Sequence, residues 1–551
     1  MGSAAESGDW SRPTPKRATC VPDAAEEIVT IALPPGPLVR CQGKSAERAV
    51  YLRAALVLSL LSLLFLIGPG LETAQARDIP DLGAVRRLLG AEEPSARAAA
   101  LRRLAGYGGR RVCAVLLESL ADPHPYVRRA AAGVLGTIDE AERPALAKAL
   151  ARQRDVVAGV AACRVLALWA DARGRRALLD RLATSEPAVR AAAVRWLADD
   201  PAEGVGAALR GRLGDRDGEV RALAIDALVA RGDPGPELAS FLADPDWRVR
   251  LSALEGSVVG TPELPGGGGA TVALLHGLDD AVWSVRFLAA ELSGRVPDAR
   301  LLPALVRCLS DPRHRVTAAA HESLVALTGI PFDPDPEVWT RWLATDGVDF
   351  DPAAREEHDP GSPSKPPRGG TVARPRFLGL DVASRHVAFV LDGSGSMARR
   401  LPDGRTRWQS VCASLDEVLK GLEGASGNVF VFRAEVVSAF EATVRLTPRR
   451  RKQVLAWLDG IGPGGKTALY DGLAQGLADP AIDTVILLSD GAPSAGRFFT
   501  KTDLLTEIRR LNRWHQARID IISVGTKGLA KRWRDVLRRL AEESGGTWLK
   551  R

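Results

Sequence analysis

The chain has 551 residues, 46% of them apolar and 26% charged, with a formal charge of +7 at pH 7. Such a length holds more than one domain, and the apolar and charged fractions are those of ordinary globular protein. The basic residues are spread among acidic ones, which excludes a dedicated nucleic-acid surface.

The first segment, 1–76, reads as an N-terminal extension ending in an export signal. Arg40, Lys44, Arg48 and Arg53 precede an uncharged apolar core at 54–67. Gly68-Pro69-Gly70 then breaks the helix, and Ala74-Gln75-Ala76 fits a signal-cleavage pattern. The core is short for a membrane span, so a cleaved signal peptide is favoured. The alternative is an uncleaved anchor that tethers the chain to a membrane through 54–67. In both cases the positive-inside bias places the body outside the cytoplasm, in a periplasmic or extracellular compartment. Residues 1–49 are long and Pro-rich for the start of such a signal, and Val50 offers an alternative start. Cys20 and Cys41 precede the signal; Cys113, Cys163, Cys308 and Cys412 sit singly in helical patterns, too sparse for a disulfide framework.

From 77 to 345 the chain repeats itself. Asp122-Pro123, Glu186-Pro187, Asp215, Asp244-Pro245 and Asp280 each open a short turn that leads, through Val127-Arg128, Val189-Arg190, Val220-Arg221, Val249-Arg250 and Val285-Arg286, into an Ala/Leu-rich helical run. Ala96, Val127, Ala158, Val189 and Val220 are spaced by 31 residues. A period near 30 with two helices per unit predicts an all-α solenoid. These repeats resemble HEAT repeats, of the short kind found in phycobilisome lyase-like proteins. No lyase activity is implied, because the pattern carries no chemistry. The Asp is expected to cap the helix that follows it, and the Arg six residues later to reach the acidic turn of the next repeat, so that the arginines form a structural ladder.

Residues 346–382 are rich in Pro, Gly and charge and read as a linker that leaves the two halves free to move unless they dock. From 383 to 551 apolar strand-like runs alternate with helical patterns, the order of a doubly wound α/β domain. The run 387–391 has no helical period and reads as a buried parallel strand. It is followed at once by Asp392-Gly393-Ser394-Gly395-Ser396. Three oxygen side chains thus gather on one tight loop at the carboxyl end of a strand, where open α/β sheets bind ligands. Thr467 lies in Gly464-Gly465-Lys466-Thr467, and Asp490 ends a second buried run at 485–489.

Asp392, Ser394, Ser396, Thr467 and Asp490 together resemble the metal-ion-dependent adhesion site of von Willebrand factor A domains, with all five ligand positions filled. The resemblance covers 383–551. It implies a bound Mg²⁺ or Mn²⁺, no enzymatic activity, and recognition of a protein partner whose exposed Asp or Glu completes the metal's shell. The expectation is therefore an exported, adhesion-type interaction scaffold. One alternative is a structural envelope scaffold in which the metal only staples loops. The other is a nucleotide hydrolase, because 460–467 matches the P-loop pattern G-x-x-x-x-G-K-T. That pattern must follow a strand, whereas 449–458 reads as a helix.

Overall fold

The computed structural model describes residues 81–232, 238–259, 268–354, 374–525 and 531–551. The apolar run 54–67 and most of the Pro/Gly-rich linker lie outside them. Among the described residues no helix is long and apolar enough to cross a membrane.

The first part is an α-solenoid. Its inner row comprises helices Pro125–Gly136, Val156–Leu168, Pro187–Leu197, Gly218–Ala230, Trp247–Val259, Trp283–Ser293 and His314–Thr328, each packed on the next. Shorter helices such as Arg143–Ala151 and Ala172–Arg181 form the other layer. Small residues bury completely along the inner row: Ala131, Ala132, Ala158, Ala162, Ala193, Ala222, Ala224 and Ala289 let neighbouring backbones approach closely. Leu and Val fill the space between the layers, so each repeat completes its core on its neighbours.

The arginine ladder is present. Arg97 grips Asp122, Arg190 grips Asp215, Arg221 grips Asp244, Arg250 grips Asp280 and Arg286 grips Asp311, each through Nε and Nη2 onto the two carboxylate oxygens. In all five, and in Arg128, Nη1 donates to carbonyls of the arginine's own turn. One planar fork thus ties two repeats together. The expectation that these aspartates cap the helices needs correction. Asp122, Asp215, Asp244 and Asp280 accept from the N–H two residues on, still inside the turn. Where a side chain caps the helix proper it is another residue, as Asp155 does for Ala158 and Asp217 for Val220.

The second part is an α/β domain. Strands β1 (Arg376–Phe377) and β2 (Leu380–Asp381) form a small antiparallel hairpin. The main sheet contains β3 (His386–Asp392), β4 (Ser426–Phe432), β5 (Val436–Ser438), β6 (Val444–Arg445), β7 (Thr484–Ser489), β8 (Arg518–Ser523) and β9 (Trp548–Lys550). Its order is β5-β4-β3-β7-β8-β9, with β6 also on the β4 edge; β4, β3, β7, β8 and β9 run parallel. Helices Arg407–Gly421 and Pro448–Ile461 cover one face; Leu469–Gly476, Lys501–His515 and Lys531–Glu543 cover the other. Phe377 is fully buried and stacks edge-on against Phe389 at 5.4 Å. Packing of this domain therefore begins before residue 383, inside the segment read from sequence as linker: an aromatic side chain there finds the core.

The two halves dock rather than move freely. Helix Lys501–His515 lies along the inner row of the solenoid. Trp514 packs against both solenoid cores and donates to Ser252 Oγ at 3.2 Å. Arg513 pairs with Asp226 and Glu255, and Asp503 with Arg129. Trp283 donates to the Pro480 carbonyl at 2.9 Å and meets His515 edge-on. At the other end Tyr126 stacks on Phe499 at 4.6 Å.

Candidate metal centre at the carboxyl ends of the central strands

The register of two neighbouring parallel strands builds the site. β3 and β7 pair Leu391 with Leu488, so Asp392 and Asp490 leave the sheet side by side. Asp392 is wholly buried, Ser394 and Thr467 nearly so, and Ser396 is half-buried. Asp392 accepts the Ser394 N–H at 2.9 Å on one oxygen and the Ser489 hydroxyl at 2.8 Å on the other. Ser394 Oγ and Ser396 Oγ are 3.0 Å apart, and Ser396 Oγ donates to Asp490 Oδ1 at 2.6 Å. Four of the five residues singled out from sequence therefore form one continuous hydrogen-bonded chain.

Thr467 comes from the loop between helices Pro448–Ile461 and Leu469–Gly476. That loop is stitched to the Asp392 loop by two backbone bonds, Gly464 N–H to Gly393 O at 2.8 Å and Gly395 N–H to Gly465 O at 3.2 Å. The Thr467 N–H donates to Ser494 Oγ, and the Thr467 carbonyl accepts the Ser494 N–H, which fixes Thr467 to the loop beyond Asp490. Gly465 has φ +79°, a conformation that costs a side-chain-bearing residue energy. Behind the loop, a Cβ on Gly472 would lie 2.7 Å from the Phe432 ring. The helix that starts the Thr467 loop's exit can sit this close to β4 only because position 472 lacks a side chain.

The electrostatics reflect burial first and neighbouring charge second. Burial pushes the Asp392 carboxyl above the usual carboxylate range; Asp490 adds to the rise, while the Ser394 and Ser489 bonds oppose it. Arg407 donates to Asp490 Oδ2 at 2.6 Å and to the Gly525 carbonyl at 3.2 Å. Sequence reading missed Arg407, Ser489 and Ser494. Ser489 could have been noticed as the residue before Asp490, but nothing local marks Arg407 or Ser494.

The P-loop-like segment 460–467 leaves a helix, not a strand, and Gly462 turns it at φ +59°. Lys466 points to the solenoid, where it pairs with Glu93 at 2.8 Å. The described cysteines are free thiols; burial pushes Cys163 up to about 11 and Cys412 up to about 12, which leaves both inert at neutral pH. His321 bonds the Phe332 carbonyl and has a structural task.

The model for HEAT repeats matches residues 83–167 and 175–256, and the model for the von Willebrand factor type A domain matches 387–492. The chain carries HEAT repeats followed by a von Willebrand factor A domain. No curated protein sequence matches it. Among solved structures, a von Willebrand factor type A protein from Catenulispora acidiphila is 20% identical over 30% of this chain and 38% of its own, with a TM-score of 0.25. E. coli YibA is 18% identical over 45% of this chain and 98% of its own, at 0.30. The PilB minor pilin of Streptococcus sanguinis is 14% identical over 30% and 56%, at 0.24. The chain thus spans well under half of the Catenulispora structure.

Proposed function

We propose that this chain is an exported, non-enzymatic interaction scaffold whose A domain captures a partner carboxylate on a bound divalent cation. Asp392, Ser394, Ser396, Thr467 and Asp490 would hold the cation. The donor set fits Mg²⁺ or Mn²⁺: all five side chains offer hard oxygen. The observation that carries the reading is the gathering of Asp392, Ser394, Ser396 and Asp490 into one largely buried, hydrogen-bonded cluster of hard oxygens at the carboxyl ends of two neighbouring strands. When bound, the cation supplies an electrophilic position for a partner's Asp or Glu. The chain's own residues do the rest. Ser489 and Ser394 orient Asp392, Ser396 and Arg407 orient Asp490, and the stitched glycine loops hold Thr467 at the rim. The HEAT repeats hold the A domain in place and add a second surface for protein contact.

Titration calorimetry of the full chain with Mn²⁺ tests this. One site is expected, abolished by Asp392→Ala or Asp490→Ala and kept in Lys466→Ala, whose ammonium faces Glu93. Mn²⁺ binding that survives the Asp392→Ala/Asp490→Ala double variant would sink the assignment.

A further inference from the structure

Three arginines converge on the loops of the candidate metal centre. Arg407 reaches Asp490 directly. Arg399 follows the serine loop: its N–H donates to the Ser396 carbonyl, and its own carbonyl accepts the Arg407 N–H at 3.0 Å. Arg433 sits at the seam of the two loops. Its carbonyl accepts the Ala468 N–H at 2.8 Å, one residue past Thr467, and its stem lies against Gly393, where a Cβ would come within 3.1 Å of Arg433 Cγ.

Other charges near these loops are engaged, apart from the exposed Glu435 two residues beyond Arg433. Arg405 pairs with Asp403, Arg497 with Asp471 and Lys466 with Glu93. Among the described residues, the guanidinium groups of Arg399 and Arg433 have neither an ion-pair nor a hydrogen-bond partner within the chain. Arg399 is exposed and Arg433 half-buried. The charge balance is then unequal. Asp392 and Asp490 match a divalent cation, so the charges of Arg399, Arg407 and Arg433 outnumber the one exposed carboxylate beside them, Glu435, and a single partner carboxylate does not neutralise the remainder. The rim also shows how it takes an acid: Lys466 and Glu93 meet at 2.8 Å while each is more than half exposed.

We propose that the partner is a polyacidic protein segment, one that places a carboxylate on the metal and further carboxylates on Arg399 and Arg433. This rests on the metal-dependent reading above and extends it from one acidic group to several. Guanidinium forks take carboxylates bidentately, and a basic cleft raises the encounter rate of an acidic partner in a salt-dependent way.

The probes are two capped peptides of equal length, one with a single Asp among Gly and Ser, the other with an Asp followed by three Glu. Each is labelled and titrated with the full chain at saturating Mn²⁺. The polyacidic peptide is expected to bind about tenfold more tightly, the sum of two partly exposed ion pairs, and both to release in EDTA. The advantage should shrink between low and moderate salt, and fall below about threefold in Arg399→Gln/Arg433→Gln. Equal affinities for the two peptides, with Mn²⁺ bound, overturn this proposal alone, as does an advantage that persists in the double variant. A single-stranded oligonucleotide of equal charge that binds as tightly and as metal-dependently overturns the carboxylate assignment. Absence of Mn²⁺ binding overturns the metal reading itself and this proposal with it.

Discussion

Arg190 and Asp215 show what a single residue does in this solenoid. Both side chains are only 4% exposed and meet through two bonds of 2.7 and 2.8 Å. Arg190 also donates to the carbonyls of Thr184 and Ser185, so all three guanidinium nitrogens are engaged by its own turn and the next repeat's. Truncation of Arg190 leaves the buried Asp215 with only Arg212, at 3.6 Å, as a counter-charge. Arg190→Met is expected to destabilise the full chain by about 3–5 kcal/mol in urea unfolding. Arg307 and Asp279, 60% and 71% exposed at 3.3 Å, are a counter-case. Arg307→Ala should change stability by less than about 0.5 kcal/mol, because solvent and salt screen such a pair. Equal effects of the two substitutions would contradict a ladder role for Arg190. The ladder's Arg and Asp were legible from their spacing; the desolvation that makes Arg190 costly to lose was not.

At the scale of elements, the A domain's site depends on how closely one helix approaches the sheet. Leu469–Gly476 follows Thr467 and packs on β3 and β4 through Gly472 and Gly476, four residues apart on one face. A Cβ would lie 2.7 Å from Phe432 at Gly472 and 2.7 Å from Val390 at Gly476. Phe432 and Val390 are fully buried and cannot withdraw. Gly472→Ala is therefore expected to cost about 1–3 kcal/mol, despite the better helix propensity of Ala. It should also weaken Mn²⁺ binding, because the helix carries Thr467 with it. Thermal unfolding and calorimetry on the same variant check both; a gain in melting temperature would show that the helix is not seated this tightly. The pattern of leucines at 469, 473 and 477 gave the helix away in the sequence. What the two glycines do becomes visible only when the helix is seated on the sheet.

At the scale of the whole molecule, the docked seam collects titratable groups. Among the described residues, His124, His314, His386 and His515 face it, and burial holds all four below the ordinary histidine value. His124 meets the Gly496 carbonyl, with Arg97 and Arg128 opposing its protonation and Asp122 favouring it. His314 is next to Arg374, Arg315, Arg518 and Asp483; His386 faces Arg313, Arg385, Asp311 and Asp483. His515 contacts the Ile482 carbonyl, with Asp479, Asp483 and Arg313 nearby. In the unfolded or undocked chain these imidazoles titrate near pH 6.5. Since the docked values are lower, the separated state binds more protons as pH falls below about 6.5. Stability is thus fully present above that pH and declines as the pH drops through each docked value. The melting temperature of the full chain should be flat above pH 7 and fall between about 6.5 and 5. A flat profile down to pH 5 would show that the seam does not exclude water from these rings.

The amino-acid sequence by itself determined what short-range patterning can encode. The repeat spacing gave the solenoid, the alternation of apolar runs gave the α/β order, and Asp392-x-Ser394-x-Ser396 marked the loop, because each depends on residues a few positions apart. Tertiary structure decided the rest. Arg407 reaches Asp490 across 83 residues of sequence, and Ser489 reaches Asp392 across 97. Phe377 was drawn out of a Pro/Gly-rich stretch into the core by burial of one ring. The docking of the A domain on the inner helix row joins Arg513 to Asp226 and Trp514 to Ser252 over more than 260 residues. No local pattern announces such pairs, since each of these side chains is an ordinary exposed-looking residue on its own helix; only the docking of one amphipathic helix on the solenoid's inner row removes it from water.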